Sequence, residues 1–117
     1  MEVQVFGTRK SADSRKALRF FAERRVKVHF VDLVERAASP GELRRFLQKL
    51  GIDALLDRTS PRFADLGLQA ARLSDDTWLA KLAAEPGLLR LPLVRHRQDV
   101  TIGLAEPTWK TWVEAAH

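Results

Sequence analysis

The strongest constraint on the fold comes from the first 33 residues, where two strand patterns flank one helix pattern. Residues 2–6, EVQVF, alternate polar and apolar side chains, and residues 26–33, VKVHFVDL, are alternating and rich in β-branched residues. Between them, Gly7 and Thr8 break the first strand, and residues 11–25 follow a helical period with Ser14, Leu18, Phe21 and Ala22 on one stripe. A strand, a helix and a strand in this order predict a right-handed βαβ unit with parallel strands.

The middle of the chain is predicted to be helical. Ser39, Pro40 and Glu42 form a capping box at the start of the clearest helix, and Gly51 ends that helix. Its buried stripe is expected to consist of Leu43, Phe46, Leu47 and Leu50. Shorter helices are predicted at 53–57, after Ser60-Pro61, and after the cap Ser74-Asp75-Asp76.

The last part of the chain predicts a β-hairpin and a final helix. Residues 91–96, LPLVRH, and 99–103, DVTIG, read as two strands joined around Arg97-Gln98, and Trp109, Trp112 and Val113 share one side of the last helix. Together the elements predict an α/β fold with a mixed four-stranded sheet (βαβ … ββα) in a thioredoxin-like arrangement. We expect one domain over residues 1–117, with a helical insert at about 39–87.

The absence of cysteine restricts the chemistry open to this protein. With no cysteine among its 117 residues, the chain forms no disulfide or thiolate metal site, and it carries no thiol redox step alone. No cluster of other residues has metal-ligand spacing, so no metal is expected. No apolar run approaches the roughly 18 residues of a membrane span, so we expect a cytoplasmic location and no membrane partner.

Positive charge is concentrated at the start of the chain. The formal net charge is +5 at pH 7, and residues 9–25 carry seven basic residues against Asp13 and Glu23, which equals the whole excess. Such a face predicts an acidic protein partner or a small oxyanion, while a solvated helix face is the plain alternative. Nucleic acid is less favoured, because aromatic and basic residues do not interleave.

The turn after the first strand is the candidate anion site. Ser11 or Asp13 is expected to cap the helix, and the backbone N–H groups of residues 11–14 would open at its positive end. Hydroxyl and basic side chains lie around these groups, and the predicted anion-binding or ligand-binding residues of this turn are Thr8, Arg9, Lys10, Ser11, Ser14 and Arg15.

Several segments, in this order, resemble the arsenate reductase-like ArsC/Spx family over nearly the full length. They are VQVFGTRKSADSRKAL, FVDLVERAASPGELRRFLQKLGIDALLD, FADLGL, LSDDTWLAKLAAEPGLLRLPLV and VTIG. The resemblance implies a thioredoxin-like fold with the helical insert. It also implies that Pro92 is a cis-proline at the start of the third strand, facing the turn at residues 8–11, and we include it in the predicted site.

The chain departs from this family at the residues that carry its chemistry. Ser11 stands at the position of the family's nucleophilic cysteine, and Ser14 at that of the second cysteine of its regulatory branch. Leu91 and Leu104 stand where the family has arginines. A third arginine aligns with Asp57, beside Arg58.

The resemblance and these departures together predict a redox-inactive protein that binds a partner or small anion through the Ser11 turn and the basic first helix. The regulatory branch implies RNA polymerase as an acidic partner. The alternative is an arsenate reductase-like oxidoreductase or glutathione-dependent transferase that uses an external thiol, with glutathione then its only cofactor. A serine nucleophile needs a nearby base, and His29, His96 and His117 are expected to be structural or surface residues instead.

Overall fold

The computed structural model describes residues 1–116. Four strands form one sheet in the order β2-β1-β3-β4. In chain order the elements are β1 (Glu2–Gly7), α1 (Ala12–Glu23), β2 (Lys27–Asp32), α2 (Pro40–Leu50), α3 (Ile52–Leu55), α4 (Pro61–Asp65), α5 (Asp75–Ala84), a 3-10 turn (Pro86–Leu88), β3 (Leu93–His96), β4 (Asp99–Ile102) and α6 (Glu106–Ala115).

The pairing of the strands confirms the predicted mixed sheet. β1 pairs in parallel with β2, as a βαβ unit requires, and it pairs antiparallel with β3 on its other side. β3 and β4 form the expected antiparallel hairpin, with Arg97 in the left-handed region at φ 56 in its turn.

The chain divides into two compact units, and the second is inserted between β2 and β3 of the first. The first comprises residues 1–36 and 91–116, and the second comprises residues 37–90. The second unit corresponds to the insert predicted at about 39–87. That the whole chain forms a single domain stays a prediction.

The core of the first unit lies between the sheet and helices α1 and α6. Val3, Val5 and Val94 are all at most 1% exposed and form one cluster with Phe21 and Trp109. The ring centroids of Phe21 and Trp109 are 5.3 Å apart. Trp109, Trp112 and Val113 are all buried, which confirms the side predicted for the last helix.

The stripe predicted for α1 is wrong at two of its four residues. The buried residues are Ser14, Ala17, Phe20 and Phe21, whereas Leu18 is half-buried and Ala22 is exposed. A hydropathy pattern favours Leu18 over Ala17, but both spacings fit a period of 3.6 residues. The packing of the helix against the sheet instead buries Ala17 and Phe20, and Leu18 lies at the margin of the same core.

In the second unit, α2 packs against α5. The predicted capping box is present: the Ser39 N–H donates to Glu42 Oε1 at 3.0 Å, and the Glu42 N–H donates to Ser39 Oγ at 3.1 Å. Leu43 and Phe46 are buried as predicted, but Leu50 is 44% exposed because it occupies the last turn, just before Gly51 ends the helix. No helix among residues 1–116 is long and apolar enough to cross a membrane.

Candidate functional site

The candidate site lies at the end of the sheet where β1 finishes. Gly7 pairs with Asp32 of β2, and Phe6 pairs with Leu93 of β3, so the register places Pro92 beside Gly7. The Leu91–Pro92 peptide bond is cis, as the resemblance implies. The turn that follows Gly7 therefore starts next to this proline.

Ser11 is the N-cap of α1. It has extended backbone angles, φ −76 and ψ 118, and its Oγ accepts a hydrogen bond from the Ser14 N–H at 3.1 Å. Its own N–H donates to Thr8 Oγ1 and to the Thr8 carbonyl, both at 3.2 Å. Of the two predicted caps, Ser11 fills the role, and Asp13 lies in the first helical turn.

Ser14 lies beneath the turn instead of lining it. The residue is 0% exposed, and its Oγ accepts the Thr8 N–H at 3.4 Å. A side chain on Gly7 would collide with the Ser14 hydroxyl and would come within 2.9 Å of Ser14 Cβ. Ser14 therefore holds the backbone of the turn from inside, where it has no exposed atom for a ligand to contact.

The arginines of the site brace the turn. Arg15 Nη1 donates to the Arg9 carbonyl at 2.6 Å. Arg9 places its Nε 4.0 Å from Asp32 Oδ2 and its guanidinium 5.2 Å from the centre of the Phe30 ring. Lys10 is exposed and has no ion-pair partner among residues 1–116. Its charge is therefore open to solvent.

The amide groups of the turn are only partly available to a ligand. The Ser11 and Ser14 N–H groups are used inside the turn, which corrects the expectation that all four amides of residues 11–14 open outward. The amides of Ala12 and Asp13 remain, because the first N–H groups of a helix have no partner within it. The Asp13 carboxylate lies in the same turn and would oppose an anion there. Binding by these residues stays a prediction.

A comparison with known protein families finds a match that covers this turn. The model of the ArsC family matches residues 6–112, which include both the turn and Pro92. The chain belongs to the ArsC family. An arsenate reductase of Neisseria meningitidis serogroup A is 26% identical over 105 residues, covering 87% of this chain and 90% of that protein.

Solved structures agree with the ArsC fold. An arsenate reductase from Vibrio cholerae superposes with a TM-score of 0.81 at 25% identity, covering 92% of this chain and 94% of its own. A protein named YFFB superposes with a TM-score of 0.85 at 20% identity, covering 93% and 96% of the two chains. The predicted thioredoxin-like arrangement is thereby confirmed.

In this ArsC-family protein, two leucines and one aspartate occupy the positions that the resemblance aligns with the family's arginines. Leu104 follows β4 and is 44% exposed, and Leu91 is half-buried. In the second unit, Asp57 Oδ1 accepts hydrogen bonds from the Thr59 N–H at 3.1 Å and the Thr59 hydroxyl at 2.6 Å. Arg58, the neighbour considered as a replacement, lies 3.4 Å from Asp53 Oδ1.

The described histidines of this ArsC-family protein lie away from Ser11. His29 pairs with Gln4, three residues before the end of β1, and its Nε2 is 3.3 Å from Glu2 Oε2. His96 packs against Trp112, with ring centroids 5.5 Å apart, and its buried Nδ1 has no hydrogen-bond partner among residues 1–116. Burial lowers the pKa of His96, and the Arg97 charge lowers it further. His117 lies outside the described residues.

One surface feature of this ArsC-family chain, a cavity, was not predicted from the sequence. A shallow cavity of about 300 Å³ lies beside α1, lined by Lys16, Arg19, Phe20, Glu23, Arg24 and Glu106. The helical spacing of its α1 residues is visible in the sequence, but the contribution of Glu106 from α6 depends on packing. We call this feature the α1 cavity. Among residues 1–116, no group of His, Asp and Glu side chains is arranged to hold a metal ion.

Proposed function

We propose that this ArsC-family protein acts by binding an acidic partner protein through the basic outer face of α1, and that it performs no redox chemistry. The observation that carries the proposal is the role of Ser11. The residue at the family's cysteine position is a helix cap, while the basic residues of the next turns line a cavity.

The hydrogen bonding of Ser11 argues against nucleophilic catalysis. Its Oγ accepts the Ser14 N–H, and among residues 1–116 no histidine or carboxylate is hydrogen-bonded to it. A serine hydroxyl needs a base within hydrogen-bond reach to become a useful nucleophile. An oxygen nucleophile also leaves no thiol to carry electrons to arsenate. We therefore infer that the Ser11 hydroxyl caps α1 and does not act as a nucleophile.

The α1 cavity has the charge and rigidity expected of a docking surface. Three cations line it, Lys16, Arg19 and Arg24, against two carboxylates. The Arg24 guanidinium stacks 3.7 Å from the centre of the Phe20 ring, and its Nη1 donates to the Phe20 carbonyl at 3.1 Å. An arginine held in this way loses less side-chain entropy when it binds a carboxylate.

Arg19 contributes an uncompensated charge to this surface. It is exposed, and no acidic side chain among residues 1–116 pairs with it. An acidic protein surface would offer carboxylates both to Arg19 and to Lys16. The resemblance to the regulatory branch makes RNA polymerase the candidate to test first.

Two alternatives remain as proposals. The free amides of Ala12 and Asp13 and the exposed Lys10 favour a small oxyanion at the turn. The names of the relatives, arsenate reductases of Neisseria meningitidis and Vibrio cholerae, favour a reductase or transferase that takes its thiol from glutathione.

The first experiment separates binding from catalysis. Purified protein is incubated with arsenate and glutathione, and arsenite is measured over time. We expect no arsenite above the protein-free blank. Turnover that is lost in Ser11→Ala would establish the enzyme alternative and overturn the proposal.

The second experiment tests the basic face. Binding to purified RNA polymerase is measured by surface plasmon resonance for the natural protein and for Lys16→Glu/Arg19→Glu. The control, Arg45→Glu/Lys49→Glu, reverses two exposed charges on α2. We expect the α1 variant to lose binding and the α2 variant to keep it. Equal binding by both variants would refute the assignment of the α1 face, and no binding by the natural protein would refute this partner.

A further inference from the structure

A second, larger cavity lies near the start of β1, at the other end of that strand from the Ser11 turn. It measures about 450 Å³, and its polar lining consists of Glu2, Gln4, His29, Arg95, His96 and Arg97. All of these residues belong to the first compact unit. A volume of this size falls within the range of small-molecule sites in proteins. We call it the sheet cavity.

The register of the sheet aligns three polar side chains across the sheet cavity. Gln4 of β1 pairs with His29 of β2 on one side and with Arg95 of β3 on the other. Directly paired residues project from the same face of a sheet, and successive residues alternate between faces. These three side chains therefore share the face opposite to Val5 and Val94, which pack into the core.

The sheet cavity contains hydrogen-bond donors that the protein does not use. Arg95 Nε donates to the Arg97 carbonyl at 2.8 Å, which fixes its guanidinium and leaves both Nη groups without an acceptor among residues 1–116. The side-chain amide of the half-buried Gln4 also has no hydrogen-bond partner among residues 1–116. A guanidinium fork and an adjacent amide match the oxygen atoms of a carboxylate or phosphate.

The charge of the sheet cavity also favours an anion. Arg95 and Arg97 contribute two positive charges, and among residues 1–116 Glu2 is the one carboxylate in the lining. Glu2 is already paired, with its Oε1 3.5 Å from Lys27 Nζ and its Oε2 3.3 Å from His29 Nε2. These contacts compensate the carboxylate charge, so the two arginines face the cavity with a net positive field.

We propose that the sheet cavity binds a small organic anion, with the Arg95 guanidinium and the Gln4 amide donating hydrogen bonds to its carboxylate or phosphate oxygens. This site shares no residue with the Ser11 turn or the α1 cavity. It therefore stands whether or not the α1 face binds a partner protein.

NMR titration tests this proposal with two probes. Isotope-labelled protein is titrated with inorganic phosphate and, separately, with citrate, at constant ionic strength. We expect saturable shifts of the Gln4 side-chain amide and of Arg95 Nε with at least one of them. A response to phosphate alone identifies a phosphate ligand, and a response to citrate alone identifies a carboxylate ligand.

Variants then assign the shifts to the sheet cavity. Arg95→Gln should weaken binding about tenfold, because a charge-assisted hydrogen bond is lost. Arg45→Gln, on the exposed face of α2, should leave the affinity unchanged. Since Arg95 also holds the hairpin turn through Arg97, Gln4→Leu is the second variant, and it should weaken binding while leaving that contact intact.

Three results would overturn the proposal. One is the absence of saturable shifts with both anions. Another is a set of shifts confined to the amides of residues 8–13, which would place the anion at the Ser11 turn. The third is equal affinity in Gln4→Leu and the natural protein.

Discussion

Gly7 leaves the space that the Ser14 side chain fills. A Cβ atom on Gly7 would overlap the Ser14 hydroxyl and approach Ser14 Cβ to 2.9 Å. Ser14 is 0% exposed, and its Oγ accepts the Thr8 N–H at 3.4 Å. The last residue of β1 and the first turn of α1 are therefore packed against each other through the Ser14 side chain, and this contact sets the path of the turn.

Gly7→Ala should destabilise the protein by about 1–3 kcal/mol, because the added methyl group overpacks a buried contact. Chemical denaturation measures the loss. Gly41→Ala is the matched control, since the nearest atom to its new Cβ is Ser39 Oγ at 3.8 Å and alanine favours the helix. Equal stability of Gly7→Ala and the natural protein would show that the turn can move away from Ser14.

Ser11→Ala should cost about 1 kcal/mol, because the Ser14 N–H loses the side-chain acceptor of the N-cap. Ser11→Asp should retain most of the stability, since a carboxylate accepts the same bond and suits the positive helix end. Denaturation midpoints of the three proteins provide the test. A loss in Ser11→Asp as large as that in Ser11→Ala would contradict the capping role.

Ser11→Cys should give a thiol with a pKa below about 8.5, the value for a free cysteine. The positive end of α1 stabilises the thiolate, as do the nearby charges of Lys10 and Arg15. The chain has no other cysteine, so the pH dependence of alkylation reports this group alone. Gln48→Cys, at an exposed position on α2, is the control and should react with ordinary cysteine behaviour. Identical pH profiles for the two cysteine variants would show that the turn does not lower the pKa of the thiol.

Thr101→Val should destabilise the protein by about 1–3 kcal/mol. The Trp109 Nε1–H donates to Thr101 Oγ1 at 2.8 Å, and valine would leave this buried donor unsatisfied. Thr101→Ser keeps the acceptor and should lose less. Thermal unfolding compares the two variants, and a larger loss in Thr101→Ser would indicate that methyl packing outweighs the hydrogen bond.

His96 should make the stability depend on pH. Burial lowers the pKa of its imidazole below the ordinary value of 6.5, so the folded protein favours the neutral ring. Its contribution to stability is complete above pH 6.5 and is lost as pH falls from there through the pKa of the folded state. Melting temperatures of the natural protein and His96→Gln, measured between about pH 7.5 and 5, should differ in slope. Parallel curves would contradict this assignment.

Local signals in the sequence were sufficient for most of the fold. The capping box of Ser39 and Glu42 and the caps Ser11 and Ser74 all appear where short-range patterns predict them. These features depend on hydrogen bonds between residues at most four positions apart, so a single sequence contains the information. The errors at Leu18, Ala22 and Leu50 arose where hydropathy was taken to decide which side of a helix is buried.

The candidate site was predicted less completely. The sequence placed Thr8 to Arg15 at a helix N-terminus, and the structure agrees. The sequence did not show which of these groups face outward. In the structure, Ser14 turns inward against Gly7, and Arg15 donates to the Arg9 carbonyl. Residue type and spacing do not distinguish a hydroxyl that braces a turn from one that meets a ligand.

The sequence by itself determined that this chain has no thiol of its own, that a βαβ unit opens the fold, and that positive charge is concentrated in residues 9–25. Only the tertiary structure decided that Ser14 is buried, that Glu106 joins the α1 cavity, and that His29, Gln4 and Arg95 align across three strands. The physical reason is distance along the chain. Composition and local hydrogen bonding are properties of neighbouring residues, whereas a cavity requires side chains that only the packed sheet and helices bring together.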